Sequence, residues 1–195
     1  MFSLLLALGN KGKKYVGTRH NLGFELGDRV AAELKACEKQ DFQKYWLAKA
    51  TKGEGTIWIA WPKTYMNGSG EVAVKLLEQL QIAPDQMLVL VDDFALPLGA
   101  LRFRAEGSDG GHNGLASIIE TLGTEQFPRL RMGIGPVDKS MDIVDFVLSK
   151  FTAVERKQAD EMLVRATEAV LFAIDHRLEE AMSKYNSNPA PSNNT

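Results

Sequence analysis

Residues 3–8, Ser-Leu-Leu-Leu-Ala-Leu, form a near-continuous apolar run that stops at Gly9-Asn10. A strand that is apolar on both of its alternating faces needs cover on both sides, the situation of a central strand in a sheet with helices on each face. Open α/β sheets of that kind place their chemistry outside the carboxyl ends of their strands. The loop that follows, residues 9–21, is polar and delivers His20 directly ahead of an amphipathic segment. His20 is therefore the candidate reactive group. The plainer account of the same loop is a turn at Asn10 and a helix cap at Asn21. A signal peptide would also open on an apolar run, but no positive charge precedes this one and Gly-Asn-Lys follows at once, so a buried first strand explains it better.

The periodicity predicts strands alternating with helices. Leu22, Leu26, Val30 and Leu34 recur every fourth position and predict a helix to about Cys37. Residues 45–51 and 56–61, rich in β-branched and aromatic side chains around Lys52-Gly53-Glu54-Gly55, read as a hairpin. Residues 62–70 lead into a second helix with Val72, Leu76, Leu77 and Leu80 on its apolar side, and residues 87–91 form a short buried strand running into Asp92-Asp93. Strands at residues 100–104 and around residues 129–132 enclose a glycine-rich loop, residues 107–114, and a short helix at residues 115–122. Residues 142–150 read as a short mobile helix, and the capping box Thr152-x-x-Glu155 opens one last long helix whose stripe runs from Val154 to Met182. Residues 186–195, largely Asn, Ser and Pro, read as a disordered tail behind a domain of residues 1–185.

Composition narrows the function by exclusion. At 195 residues and 45% hydrophobic, the chain can bury one sizeable core and is short for two. Lys and Arg total 23 against 25 Asp and Glu, so no global basic field draws the protein to nucleic acid or membrane, and any polyanion site must be local. A single cysteine, Cys37, rules out an intramolecular disulfide and suits a reducing, cytoplasmic setting. No apolar stretch approaches the roughly 18 residues of a membrane span. There is no Gly-x-Ser-x-Gly elbow, phosphate loop, Gly-x-Gly-x-x-Gly or His-Glu-x-x-His, and 3 histidines with 1 cysteine argue against a zinc site of the usual composition.

What remains is a set of polar residues at the strand ends: Asn10, His20, Asn67, Asp92, His112 and Asn113. A neutral imidazole can take a proton from water near neutral pH, and a carboxylate on its other nitrogen would fix the tautomer and stabilise the imidazolium. Asparagine amides can hold a peptide backbone or a developing oxyanion without adding charge. Such a set could hydrolyse an ester by direct attack of water. Each member has a plain alternative: Asn67 and Asn113 suit helix caps, His112 suits an exposed loop, and Asp92 and Asp93 are not distinguished by chemistry alone. Arg102, Arg104, Arg129 and Arg131 suit an ordinary solvated face or, if their strands are neighbours, one patch for phosphate.

These residues resemble the bacterial-type peptidyl-tRNA hydrolases. The matching motifs are Gly9-Asn10-x-Gly12, Tyr15, Thr18-Arg19-His20-Asn21-Leu22-Gly23, Pro62-x-Thr64-Tyr65-Met66-Asn67-x-Ser69-Gly70, Asp92-Asp93 with Leu96-Pro97-x-Gly99, Gly107-Ser108-x-Gly110-Gly111-His112-Asn113-Gly114, and Arg129-Leu130-Arg131-x-Gly133-Ile134-Gly135. They span roughly residues 4–151 and are specific as a set. The resemblance implies an α/β fold: a single compact domain whose mixed central sheet is flanked by helices in three α/β/α layers, phosphorylase/hydrolase-like. It implies hydrolysis of the ester between peptide and tRNA in peptidyl-tRNA released prematurely from ribosomes, with no metal or cofactor, by a monomer in the cytoplasm.

Carried over, His20 is the base, Asp92 its orienting acid, and Asn10, Asn67 and Asn113 position substrate and water. Tyr65 and Met66 line the peptide groove, with Tyr15 and His112 among the binding residues. Arg104 and Arg131 grip a tRNA phosphate, and residues 142–150 match a mobile lid. Lys11 stands where the family usually has proline, Ala95 where an aspartate is usual, and Arg104 where lysine is more frequent. A relative that keeps the fold but only binds RNA, splicing-factor-like, is the alternative; intact Asn10, His20 and Asp92 argue against it.

Overall fold

The apolar run becomes β1 (Leu4–Ala7), buried along its whole length at the centre of the sheet. The computed structural model describes residues 2–137 and 140–186. After β1 the described elements are α1 (Leu22–Glu33), β2 (Gln40–Asp41), β3 (Tyr45–Lys52), β4 (Gly55–Pro62), α2 (Ser69–Leu80), β5 (Met87–Pro97), β6 (Leu101–Arg104), α3 (Asn113–Leu122), β7 (Arg129–Gly135), α4 (Ile143–Leu148), α5 (Ala153–Asp175) and α6 (Leu178–Tyr185). The strands form one seven-stranded sheet in the order β2-β3-β4-β1-β5-β7-β6. β1 pairs in parallel with β4 on one side and β5 on the other, and β7 extends the parallel run beyond β5. The margins are antiparallel, β3 on β4 and β6 on β7. The sheet is mixed, as expected.

Strand alternation builds the two cores. Leu5 and Ala7 of β1 face α1 and α5, packing with Leu26, Val30, Leu163 and Val170. Leu4 and Leu6 face the other way, with Val72 and Leu76 of α2 and Leu115 and Ile118 of α3. This gives the three α/β/α layers. Each fully buried leucine of β1 contributes about 1.5–3 kcal/mol of transfer free energy.

Some element boundaries differ from the sequence reading. α1 stops at Glu33 because Lys35 adopts a left-handed backbone, φ 51°. β5 continues past Val91 to Pro97, so Asp92 and Asp93 lie within the strand rather than at its end. The expected last helix is two. His176 is extended and Arg177 caps a new helix, while Ile174, Leu178 and Met182 keep a four-residue spacing across the break and so conceal it. The tail reading shifts by one residue. The Asn186 amide accepts from the Phe103 N–H (2.6 Å) and donates to the Phe103 carbonyl (3.2 Å), on the edge strand β6. The rest of the expected tail, residues 187–195, lies outside the described residues.

Candidate active site

The parallel strands deliver their ends to one place. Asn10 follows β1, Met66 and Asn67 follow β4, Asp92 lies midway along β5, and His112 and Asn113 open α3. α1 can start directly on top of these ends because Gly23 has no side chain: a Cβ there would sit 2.3 Å from the Leu8 carbonyl oxygen and 2.5 Å from that of Leu90. The short 3-10 turn Arg19–Asn21 before α1 thereby brings His20 over β5.

His20 Nδ1 lies 3.0 Å from both carboxylate oxygens of Asp92. Both side chains are buried. Burial would raise the Asp92 pKa, but the fields of His20 and His112 and their hydrogen bonds outweigh it and hold the carboxyl well below the usual range. Asp92 is thus an acceptor, and His20 must donate its Nδ1–H. That leaves Nε2 as the unprotonated, basic nitrogen. Burial pushes the His20 pKa down, while the charge and hydrogen bond of Asp92 together push harder, so the net shift is upward from 6.5.

His112 is not an exposed loop residue. It is buried and caps α3, its Nδ1 accepting from the N–H groups of Gly114 (3.1 Å) and Leu115 (3.3 Å). The proton of a neutral ring must then be on Nε2, which points at Asp92 Oδ1 at 3.3 Å. Asp92 therefore accepts an N–H hydrogen bond from each of two histidines. Donor atoms of His20, Asp92 and His112 lie within 4.8 Å of one another, close enough to surround a cation. Their hydrogen bonding argues for a proton-holding set instead, because Nε2 of His112 could bind metal only if its ring became an imidazolate or gave up the α3 cap.

Neither asparagine expected as a possible cap is one. α2 is preceded by Gly68 and α3 by His112, whereas Asn67 and Asn113 are exposed at the cleft. Asn10 is held instead. Its N–H donates to Asn21 Oδ1 (2.8 Å), its carbonyl accepts from Asn21 Nδ2 (3.1 Å), and its side-chain oxygen accepts from the Met66 N–H (3.2 Å). The last contact orients the Asn10 amide with its NH₂ free. Asn21 stands at the position before α1 but makes no side-chain cap there. Its role as a clamp escapes sequence reasoning, since the contact spans a folded loop and leaves no local spacing signal.

These residues line a cleft of about 320 Å³ with Asn10, Tyr15, His20, Tyr65, Met66, Asn67 and Asn113 on its walls, and Val144, Val147 and Leu148 of α4 closing one side. Met66 is buried and Tyr65 is 74% exposed. Lys11 is exposed and is not among the cleft walls, its ammonium lying 5.8 Å from the Trp46 ring centre. Larger depressions at the opposite end of the sheet, around Phe2, include His176 but none of the strand-end asparagines.

The arginines lie outside the cleft and differ among themselves. β6 and β7 are neighbours, with Arg102 opposite Arg131 and Arg104 opposite Arg129. Arg129 is buried. It donates to the carbonyls of Gly107 and Glu125, lies over the Phe127 ring at 4.3 Å, and has its pKa pushed down to about 10 by burial and by Arg131. Arg131 Nε lies 2.8 Å from Asp93 Oδ2. Adjacent strand residues face opposite sides, which gives Asp92 to the histidines and Asp93 to the arginine. The Asp93 Oδ1 accepts from the Ala95 N–H at 2.9 Å. Gly110 covers Arg131 with φ +59°, and a Cβ there would meet Arg131 Nη2 at 2.6 Å. Arg104 is half-buried on the edge strand.

Comparison with known proteins gives a consistent result. The family model described as peptidyl-tRNA hydrolase matches residues 4–193. A peptidyl-tRNA hydrolase of Sulfurihydrogenibium sp. strain YO3AOP1 is 42% identical over 188 residues, 96% of this chain and 99% of that one. The Aquifex aeolicus peptidyl-tRNA hydrolase is 42% identical over 183 residues, 94% and 95% of the two chains. The crystal structure of peptidyl-tRNA hydrolase from Acinetobacter baumannii superposes with a TM-score of 0.90 at 30% identity, over 96% of this chain and 95% of that one.

Proposed function

The chain belongs to the peptidyl-tRNA hydrolase family, and from that membership and the cleft geometry we propose how it cleaves its substrate. The substrate is peptidyl-tRNA released prematurely from ribosomes. The bond broken is the ester between the peptide's terminal carboxyl and the ribose of the terminal adenosine.

His20 Nε2 takes a proton from a water as the water oxygen bonds to the ester carbon. Asp92 holds the opposite Nδ1–H and stabilises the imidazolium that forms. Negative charge then develops on the former carbonyl oxygen, within reach of amide donors from Asn10, Asn67 and Asn113. Collapse breaks the carbon–ribose oxygen bond, and His20 returns its proton to the leaving oxygen. The products are a peptide carboxylic acid, which ionises, and tRNA with its hydroxyl restored. No covalent intermediate, metal or cofactor takes part. A positioned base of this kind contributes about 10²–10⁴-fold in rate.

The carrying observation is the orientation of His20: Asp92 occupies Nδ1, leaving Nε2 as the basic nitrogen in a residue that lines the cleft. Tyr15, Tyr65 and Met66 would hold the peptide, with His112 behind them keeping Asp92 charged. Arg104 and Arg131 would hold a tRNA phosphate. Among the described residues no helix is long and apolar enough to cross a membrane. The reading places a monomeric enzyme, with residues 1–185 as its domain, in the cytoplasm.

One assay tests this. The protein is incubated with an N-blocked aminoacyl-tRNA, with and without a chelator, and with the same blocked ester lacking tRNA. The expected result is cleavage that requires the tRNA and is indifferent to the chelator. Tight tRNA binding without cleavage would support the RNA-binding relative, and cleavage of the free ester at equal efficiency would remove tRNA from the mechanism.

A further inference from the structure

The residue before the catalytic base is a buried arginine that the proposed reaction does not use. The Arg19 backbone N–H donates to the Ser149 carbonyl (3.0 Å) and its Nε to the Ser149 hydroxyl (3.2 Å). Its Nη2 lies 2.8 Å from each carboxylate oxygen of Glu155. The guanidinium lies over two rings, Phe146 with its centre 4.5 Å away and Phe151 at 4.6 Å. Thr18 adds an antiparallel bridge to Lys150. Residues on α4, after it and at the start of α5 thus converge on one side chain.

We propose that Arg19 is a positioning residue: it fixes α4, the wall of the cleft carrying Val144, Val147 and Leu148, against His20 in the facing turn. Arg19 and His20 share the 3-10 turn Arg19–Asn21, so no flexible joint separates the two. α4 packs into the core through Phe146 and Val147 while Ile143, Val144 and Leu148 are exposed, so its seat depends on few apolar contacts besides those around Arg19. The opposing charge acting on His20 is that of Asp92, which leaves position as the route from Arg19 to the chemistry. The task is specific to arginine. A planar guanidinium can lie over aromatic rings while donating in its plane to a hydroxyl and a carboxylate, and an ammonium cannot do both.

The inference rests on the hydrolase reading, and its test separates the two. Arg19→Met removes the anchor and Glu155→Gln weakens it by taking away the charge; glutamine still serves the α5 capping box. Glu25→Gln is the control. It weakens the Arg156–Glu25 contacts (3.1 and 2.7 Å) that join α1 to α5 without touching α4. Amide exchange is read over residues 143–148 alongside KM, kcat, the pH profile and Tm.

The anchor variants should exchange faster over residues 143–148 and show KM for peptidyl-tRNA raised about tenfold, equivalent to about 1.4 kcal/mol of lost binding, with the acid limb of the pH profile in place. Glu25→Gln should lower Tm without either change. Unchanged exchange over residues 143–148 in the anchor variants would overturn the proposal, as would an equal KM rise in Glu25→Gln or a shifted acid limb in Arg19→Met. Should Arg19→Met fail to fold, Glu155→Gln carries the test. If the unmodified chain cleaves no peptidyl-tRNA, the hydrolase reading fails while the exchange comparison still decides the role of Arg19.

Discussion

Asn21 grips Asn10 by both backbone groups, accepting its N–H at 2.8 Å and donating to its carbonyl at 3.1 Å. An amide can do this because it carries an acceptor and a donor side by side; alanine offers neither and aspartate only the acceptor. Asn21→Ala leaves two buried backbone groups unpaired, at about 1–3 kcal/mol each. It should lower Tm and reduce kcat, because Asn10 loses its fixed place in the cleft. Asn21→Asp should fall between the two in both measurements. Unimpaired turnover in Asn21→Ala would detach Asn10 from the reaction.

His20→Ala should retain tRNA affinity and lose about 10²–10⁴-fold in cleavage of peptidyl-tRNA. Binding measured by filter retention and cleavage measured under single turnover give the two numbers separately. A variant that cleaves at the normal rate removes His20 from the role of base.

The neutral form of His20 is the working base, so kcat/KM should rise with pH as the ring deprotonates, at a pKa above 6.5. Asp92→Asn removes the charge that raises this pKa and leaves the burial that lowers it. The acid limb should therefore move to lower pH, and the plateau should fall because the imidazolium loses its partner. Stability follows the same sign. A raised folded-state pKa stabilises the fold fully below the unfolded value of about 6.5, and that stabilisation is lost as pH rises through the folded value. Asp92→Asn should accordingly lose stability most on the acid side of neutrality. An acid limb that stays put in Asp92→Asn contradicts the pairing.

The arginines should divide into two classes. Arg104→Ala and Arg131→Ala are expected to weaken tRNA binding and make its salt dependence shallower by about 0.7–0.9 log units for each phosphate no longer bound. Arg129→Ala should leave that slope unchanged and lower Tm instead, because the buried guanidinium's hydrogen bonds to the Gly107 and Glu125 carbonyls, about 1.5–3 kcal/mol each, are lost. An unchanged slope in both Arg104→Ala and Arg131→Ala would count against phosphate binding there.

The layers of the fold were legible because β1, α1, the β3–β4 hairpin and α2 each carry their own periodicity. The candidate site was legible as a set of polar residues at strand-to-helix junctions, and the family resemblance gave each an expected role. What escaped depends on contacts across the chain. His112 looks like a loop residue until its Nδ1 is seen to cap α3, a role in which histidine is unusual. Arg129 and Arg131 occupy equivalent places in the alternation, and burial separates them only once the loop carrying Gly107 folds over β7. Arg19, between a threonine and a histidine, gives no local sign that residues from Phe146 to Glu155 will close around it.

The amide of Asn186 occupies both outward backbone groups of Phe103 on β6, the last strand of the sheet. An uncovered strand at that position is a template on which another extended chain can add itself. By supplying one donor and one acceptor at the spacing a further strand would use, Asn186 ends the sheet. A chain cut short at Tyr185 would keep every residue of the cleft and lose this stop, so its first fault would be self-association along β6 rather than failed catalysis.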